Sequence, residues 1–252
     1  MRVAVAGGTG VAGRQVVEAL TVRGHEPVVV ARSRGVDLLT GEGLDAALAS
    51  VDAVIDVSNT VTASRRKAEA FFETAGRNLM TAEERAGVGH HVTLSIVGID
   101  RVGLGYYRGK LRQEAVVRAG RVPWTVLRAT QFLEFPDQVL ALMPGPVAVV
   151  PRMRIQPVAV REVAAALAEL AAGPPLGMAP ELAGPREEEL ADLARRVLRA
   201  RGERRRVLAV RLPGATGRAL AGGALLPAEP GPRATRTFDE WLAAETSAPD
   251  RP

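Results

Sequence analysis

Tyr106 and Lys110 stand four residues apart, and on a helix that spacing puts both side chains on one face. An ammonium beside a phenol stabilises phenolate, lowering a pKa of about 10 so that the hydroxyl can exchange a proton near neutrality. Lys110 is one of only two lysines, with Lys67, among 33 basic residues, which points to a position that arginine does not serve. A second cluster opens the chain. Gly7, Gly8, Gly10 and Gly13 follow a short apolar run at residues 3–6 and precede Val16, Val17 and Leu20 at helical spacing. An apolar run closed by glycine reads as a buried strand of a parallel sheet. Strand, glycine turn and helix in that order form a phosphate-binding element of a dinucleotide fold. There the free N–H groups at the helix start face an anion.

The end of the second strand speaks to the choice of nucleotide. A fold that prefers NAD places an acidic residue about 20 residues past the glycines to hold the ribose hydroxyls. This chain has Arg32, Ser33 and Arg34 there instead. Two guanidinium groups and a hydroxyl suit a 2′-phosphate, so NADP(H) is expected ahead of NAD(H). Thr9 and Val11 in the glycine turn, Asp37 beyond the arginines, and Ser58 and Asn59 at the end of the third strand complete the expected cofactor set. Ser58, Asn59 and Thr60 have a simpler reading as the lead into the next helix, with Thr62 or Ser64 as its N-cap.

Positioning these groups falls to an alternation of strands and helices. Strands are expected at residues 27–31, 51–57, 91–97 and 124–127, and helices at 11–23, 63–86 and 106–119, with a short helical region within 37–50. Such alternation with short connections implies an α/β fold with a doubly wound parallel sheet. Residues 128–134 leave the fifth strand as a loop. The C-terminal half is less regular. It carries helices at 161–172 and 187–201, short strands at 181–184 and 207–212, and the apolar trio Phe238, Trp241 and Leu242 at helical spacing. The chain is read as one domain spanning 1–252, in which residues from about 130 form a smaller C-terminal lobe on the substrate side and 246–252 form a disordered tail.

Composition narrows the classes. With 252 residues, 47% hydrophobic and 24% charged, the chain is an ordinary globular protein with a core of Ala, Val and Leu. No apolar run approaches the ~18 residues of a membrane span. The absence of cysteine excludes disulfides, thiolate catalysis and cysteine-ligated metals, and no metal site is expected. A cytoplasmic location is the default expectation. The net charge of +5 raises nucleic acid as a partner. The densest cluster, Arg195, Arg196, Arg199, Arg201, Arg204, Arg205 and Arg206, reads instead as a solvated helix face.

Taken together, VAGGTGVAGRQVV (5–17), VARS (30–33), VDAVIDV (51–57), LSIVGID (94–100), YYRGKLRQE (106–114), PWTVLRATQF (123–132), VAVREVAAAL (158–167) and FDEWL (238–242) resemble an atypical short-chain dehydrogenase/reductase of the NmrA-like NAD(P)-binding group. Within that group Gly7, Gly10 and Gly13 fit a GxxGxxG spacing. The resemblance implies a Rossmann sheet with a small substrate lobe. It also implies NADPH-dependent hydride transfer to a carbonyl, enone or quinone. Tyr106 would be the proton donor, and Lys110 would hold both the nicotinamide ribose and the tyrosine. A third catalytic residue falls near Ser95, although the position two further on, where a hydroxyl is expected, is Val97. Thr130, Gln131 and Phe132 would face the nicotinamide as substrate contacts. The competing reading is a non-catalytic NADP(H) sensor acting through a regulatory protein partner. Nucleotide-sugar chemistry ranks lower, because the C-terminal portion is short. A monomer or homodimer is expected.

Overall fold

The structure, a computed structural model, describes residues 1–62 and 64–247. Along the chain run β1 (Arg2–Ala6), α1 (Val11–Val22), β2 (Glu26–Val30), α2 (Leu44–Leu48), β3 (Ala53–Asp56), α3 (Arg65–Ala86), β4 (His90–Ile96), α4 (Gly105–Ala119) and β5 (Trp124–Ala129). These are followed by α5 (Phe135–Ala141), β6 (Val147–Pro151), β7 (Arg154–Ile155), α6 (Val160–Ala172), β8 (Gly177–Met178) and β9 (Glu188–Glu189). The last elements are α7 (Leu190–Ala200), β10 (Arg206–Val210), α8 (Gly214–Ala221) and α9 (Phe238–Ser247). Two compact units share them. The first comprises Met1–Asp100, Leu104–Arg128 and Val160–Pro180; the second comprises Arg101–Gly103, Ala129–Ala159 and Glu181–Pro252.

The first unit is built on a six-stranded sheet in the order β2-β1-β3-β4-β5-β8. β1 pairs in parallel with both β2 and β3, β3 with β4, and β5 with β8. From β1 the chain moves to β2 on one side and then returns to β3 on the other. That reversal is a topological switch point, the place where ligands bind in open parallel sheets. The register sets Ala6 beside Val30 and Asp56, so the chain segments leaving β1 and β3 emerge side by side. One sheet face packs Ala4, Ala6, Val54 and Val126 against Leu44, Leu48, Leu79, Met80 and Val117 of the helices. α3 lies against α4 on that side, and α6 lies against α1, β3 and β4. Small strand side chains let the helices sit close, in keeping with a core poor in aromatics.

The second unit holds two small sheets, β10 with β6 in parallel and β7 with β9 antiparallel. It departs from the sequence expectation in several places. The helix expected from residue 187 begins at Leu190, because Glu188 and Glu189 pair with Ile155 and Arg154 as β9. The strand expected at 181–184 is reduced to single bridges from Leu182 to Ala129 and from Ala183 to Arg233. α5 and α8 are helices that the sequence did not announce. Four of the seven arginines clustered around α7 are bound to protein groups. Arg195 pairs with Asp192, Arg196 with Glu188 and Asp239, and Arg201 with Asp137, while Arg205 donates to the carbonyls of Leu140, Met143 and Gly145. The long third helix starts at Arg65, capped by the Ser64 hydroxyl, which accepts the Lys67 N–H; Ala63, where it was expected to begin, lies outside the described residues. Of the expected tail, Thr246 and Ser247 close α9 and residues 248–252 lie outside the described residues. No described helix is long and apolar enough to cross a membrane.

Candidate functional site

The glycine turn is a cradle bare of side chains. Gly7 has φ +79°, and a Cβ there would meet the Ser58 Cα and Val57 carbonyl oxygen at 2.9 Å. A Cβ on Gly13 would sit 2.1 Å from the Gly7 carbonyl oxygen, so helix and turn approach as closely as backbone allows. The turn is tied by the Gly10 N–H to the Gly7 carbonyl (2.9 Å) and by the Gly7 N–H to the Val30 carbonyl (3.0 Å). Arg14 Nη1 donates to the Thr9 carbonyl at 2.7 Å, an additional clasp that the sequence reading missed. Its signal was there: a cation one residue past the last glycine. α1 starts at Val11 with Gly10 as N-cap, no side-chain cap and no acidic residue in its first turn. Across the switch point, Ser58 is buried and its Oγ has no hydrogen-bond partner. An open helix start, a side-chain-free approach and a hydroxyl in reserve fit a dinucleotide pyrophosphate.

Tyr106 and Lys110 lie on one face of α4, and both meet Phe72 of α3. The Tyr106 ring stands edge-on to Phe72 with centroids 5.9 Å apart, and Lys110 Nζ lies 4.9 Å from the same ring centroid. Gly109 allows this approach, since a Cβ there would lie 2.8 Å from Ala68 Cβ and Phe72 Cδ2. The two side chains then part company. The Tyr106 hydroxyl donates to Asn59 Oδ1 at 2.8 Å, and the same oxygen accepts the Thr60 N–H. Lys110 is 4% exposed and donates to the Leu94 carbonyl at 2.6 Å and Gln113 Oε1 at 2.5 Å. The expected lowering of the phenol pKa is absent: burial pushes Tyr106 up to about 12. Burial also pulls Lys110 down to about 8, opposed by the nearby carboxylates of Asp56 and Glu114.

Beneath these groups lies a buried polar network that the sequence reading did not find. Gln113 Nε2 donates to Asp56 Oδ2 at 2.6 Å, and Asp56 Oδ1 accepts the Ser58 N–H at 2.9 Å. Lys110 is therefore linked through Gln113 and Asp56 to the segment that carries Ser58 and Asn59. Ser95 donates to Glu114 Oε1 at 2.5 Å, and Glu114 is gripped by Arg128 Nε and Nη2 at 2.9 and 2.8 Å. The Ser95 hydroxyl is thus committed to this second branch, and no hydrogen bond joins it to Tyr106 or Lys110. A readable signal was the polar residues Asp56, Gln113 and Glu114 in otherwise core-facing positions.

Arg32, Ser33 and Arg34 form one exposed 3₁₀ turn directly after β2, and the Gly35 N–H closes it on the Arg32 carbonyl. Neither arginine makes a salt bridge among the described residues. Asp37 is turned to local duty: its Oδ1 accepts the Leu39 N–H at 2.7 Å. Val11 is 51% exposed at the mouth of the turn. In the second unit, Thr130 is buried and its hydroxyl donates to the Gln156 carbonyl at 2.6 Å. Phe132 bridges to Val158, and Gln131 is buried with neither amide atom bonded. Among the described residues no group of three or more His, Asp or Glu is placed to hold a metal ion.

Residues 7–174 match the NAD(P)H-binding family, and the chain belongs to that family. No curated protein matches the sequence. Among solved structures, the chain is similar to the NADPH-dependent quinone oxidoreductase of Escherichia coli in complex with NADPH, with a TM-score of 0.74 and 20% identity over 96% of this chain and 99% of that one. It is also similar to a short-chain dehydrogenase/reductase superfamily protein of Agrobacterium tumefaciens with bound NAD (TM-score 0.70, 19% identity, 98% and 96% covered). The triphenylmethane reductase of a Citrobacter species complexed with NADP(H) follows, with a TM-score of 0.67 and 17% identity over 91% and 93%. The fold expected from the motifs, an α/β fold with a doubly wound parallel sheet, is borne out.

Proposed function

We propose that this member of the NAD(P)H-binding family is an NADPH-dependent oxidoreductase that reduces a carbonyl, enone or quinone. The carrying observation is the placement of a proton-bearing hydroxyl, Tyr106 on Asn59, at the end of β3 beside the glycine turn. NADPH, when bound, supplies the hydride. The protein supplies position and a proton. The turn and the start of α1 hold the pyrophosphate, and Arg32, Ser33 and Arg34 hold the 2′-phosphate. With its pKa pushed up to about 12, Tyr106 keeps its proton at neutral pH and donates it at the hydroxyl oxygen as negative charge develops on the substrate. Asn59 fixes the hydroxyl, and Lys110 acts from below through Gln113 and Asp56. The E. coli and Citrobacter proteins named above, a quinone oxidoreductase and a triphenylmethane reductase, support a conjugated electron acceptor as the starting point for a screen.

The test is NADPH oxidation across a panel of ketones, enones and quinones by the wild-type chain and by Tyr106→Phe. Expected are turnover in the wild type, a fall of about 10²-fold or more in the variant, and unchanged NADPH affinity. Equal turnover in the variant removes Tyr106 from the chemistry. A second reading, a sensor that binds NADP(H) without turnover, is favoured by one observation. Ser95 and Lys110, the expected partners of Tyr106, are both bound inward to protein groups. Tight NADPH binding with no oxidation against the whole panel would select it.

A further inference from the structure

Within the first unit, α3 and α4 pack side by side, and a groove of about 630 Å³ lies between them. Small residues bring the helices together. A Cβ on Gly76 would lie 3.3 Å from Val116 Cγ1, and the bare Gly120 leaves room for the Met80 methyl group. Met80 and Val116 line the groove as an apolar floor, while Ala115 and Ala119 keep its α4 wall low. The two ends differ in charge. At one end Glu73 accepts from Nε and Nη2 of Arg77, at 3.2 and 2.9 Å, and from Nε and Nη2 of Arg112, at 2.8 and 2.6 Å. Two guanidiniums thus share one carboxylate and draw its pKa down to about 2, so this end carries an excess positive charge. A guanidinium has five donors, and Glu73 takes two from each arginine, which leaves the rest to other partners. At the far end Arg121 pairs with Glu84 at 3.1 Å and the charges balance.

We infer that this groove is a binding site for an amphipathic carboxylate, an acid of medium chain length with one charged head. The head meets the Arg77–Arg112 end, where guanidinium donors form charge-assisted bonds to a carboxylate. The hydrocarbon body lies on Met80 and Val116 and covers apolar surface that otherwise faces water. From Arg77 to Glu84 α3 rises about 10 Å, the length of an extended octanoate. The volume falls within the range of small-molecule sites. Glu73 holds both guanidiniums in place before the ligand arrives, so little side-chain freedom is lost on binding. A neutral chain of the same length would gain the floor but not the head. The inference goes beyond the reductase reading and does not depend on it, since the groove is built from α3, α4 and the two residues after α4.

The test is calorimetric titration of the chain with octanoate below its micellar concentration, with octan-1-ol as the uncharged counterpart and acetate as the head alone. The wild type is expected to bind octanoate at least about tenfold more tightly than either, one charge-assisted hydrogen bond's worth. Arg77→Gln combined with Arg112→Gln should erase the advantage over octanol. Ala115→Phe, at an exposed helix position, fills the groove and should abolish binding of both chains. Thermal unfolding checks each variant. Arg77→Gln alone, which balances Glu73 against one arginine, repeats the measurement if the double variant fails to fold. Equal affinity for octanoate and octanol in the wild type, binding of neither, or octanoate affinity unchanged in either kind of variant overturns the inference. So does a dimer in sedimentation velocity that Ala115→Phe dissociates, which would make the groove an interface between two copies of the chain.

Discussion

Gly13→Ala tests the central element most directly. The added Cβ would lie 2.1 Å from the Gly7 carbonyl oxygen and 2.6 Å from the Gly8 Cα, all of it backbone. Ordinary contact begins near 3.4 Å, so turn and helix must separate by 3.4 − 2.1 = 1.3 Å. A displacement of that size breaks hydrogen bonds between the turn's N–H groups and a pyrophosphate, since such bonds span only about 2.7–3.2 Å. Bonds to a charged group contribute about 1.5–3 kcal/mol each, so the loss of two weakens binding by roughly 3–6 kcal/mol. The dissociation constant for NADPH should rise on the order of 10²–10⁴-fold. The assay is fluorescence titration with NADPH, paired with thermal unfolding of the unliganded chain. Gly24→Ala is the control. Its φ of +74° strains any side chain, but nothing lies within 4 Å, so stability should fall by about 1–2 kcal/mol with NADPH affinity intact. A Gly13→Ala chain that binds NADPH within about threefold of the wild type would refute the assignment of the turn as the phosphate site.

Three further outcomes are expected. Arg32→Ser combined with Arg34→Ser should weaken NADPH binding by roughly 10–100-fold while NADH binding holds, read by parallel titrations; an equal loss for both nucleotides would place the arginines elsewhere. Lys110 has a folded pKa of about 8, below its unfolded value of about 10.4, so between those pH values the unfolded chain holds more protons and stability rises with pH. The stability of the wild type relative to Lys110→Met, measured by urea unfolding, should therefore climb by about 2–3 kcal/mol from pH 8 to 10; a flat difference would show that the ammonium is solvated. Glu83→Gln should cost roughly 3–5 kcal/mol, because it leaves fully buried His91 without the carboxylate that bonds its Nδ1 at 2.8 and 3.0 Å. Replacing both residues by leucine should recover most of that loss in the same unfolding assay.

The first unit was legible because its central strands, β1, β3, β4 and β5, are largely buried on both faces and its helices are amphipathic. Runs such as AVID at 53–56, closed by polar or glycine residues, admit few other readings. The second unit was less so. β7 and β9 are two residues each and exist only because a partner segment lies alongside, which periodicity does not record. α8 is GATGRALA, glycine-rich and with little apolar pattern, and α5 hides behind a proline at its second position. In the site, spacing placed Tyr106 and Lys110 on one face but not their partners. The Tyr106–Asn59 bond joins residues 47 apart, and the Gln113–Asp56 bond joins residues 57 apart. Those partners follow from α4 reaching the end of β3 and the segment after it, a tertiary fact. What the sequence did carry was Asp56, a carboxylate closing a strand whose four residues are all buried.

The rarity of lysine in this chain has a physical explanation in the same network. Lys110 replaces water with two oxygen acceptors, the Leu94 carbonyl and Gln113 Oε1, and the face of Phe72. An ammonium has three donors on one small atom, so two hydrogen bonds and a ring face nearly satisfy it. A guanidinium has five donors in a rigid plane and would leave several of them buried and unmet, at about 1–3 kcal/mol each or more for a charged group. Nor can arginine shed its proton when buried, whereas Lys110 is already drawn to about 8. An arginine-rich composition therefore stops at this position. Lys110→Arg should then be more damaging than Lys110→Met, both to stability and to the Asn59–Tyr106 geometry that Asp56 supports. If Lys110 instead touched the ribose directly, arginine would be the milder change, because it keeps the charge at the cofactor. The order of the two variants in NADPH affinity and in turnover separates a lysine that works through the protein from one that works on the ligand.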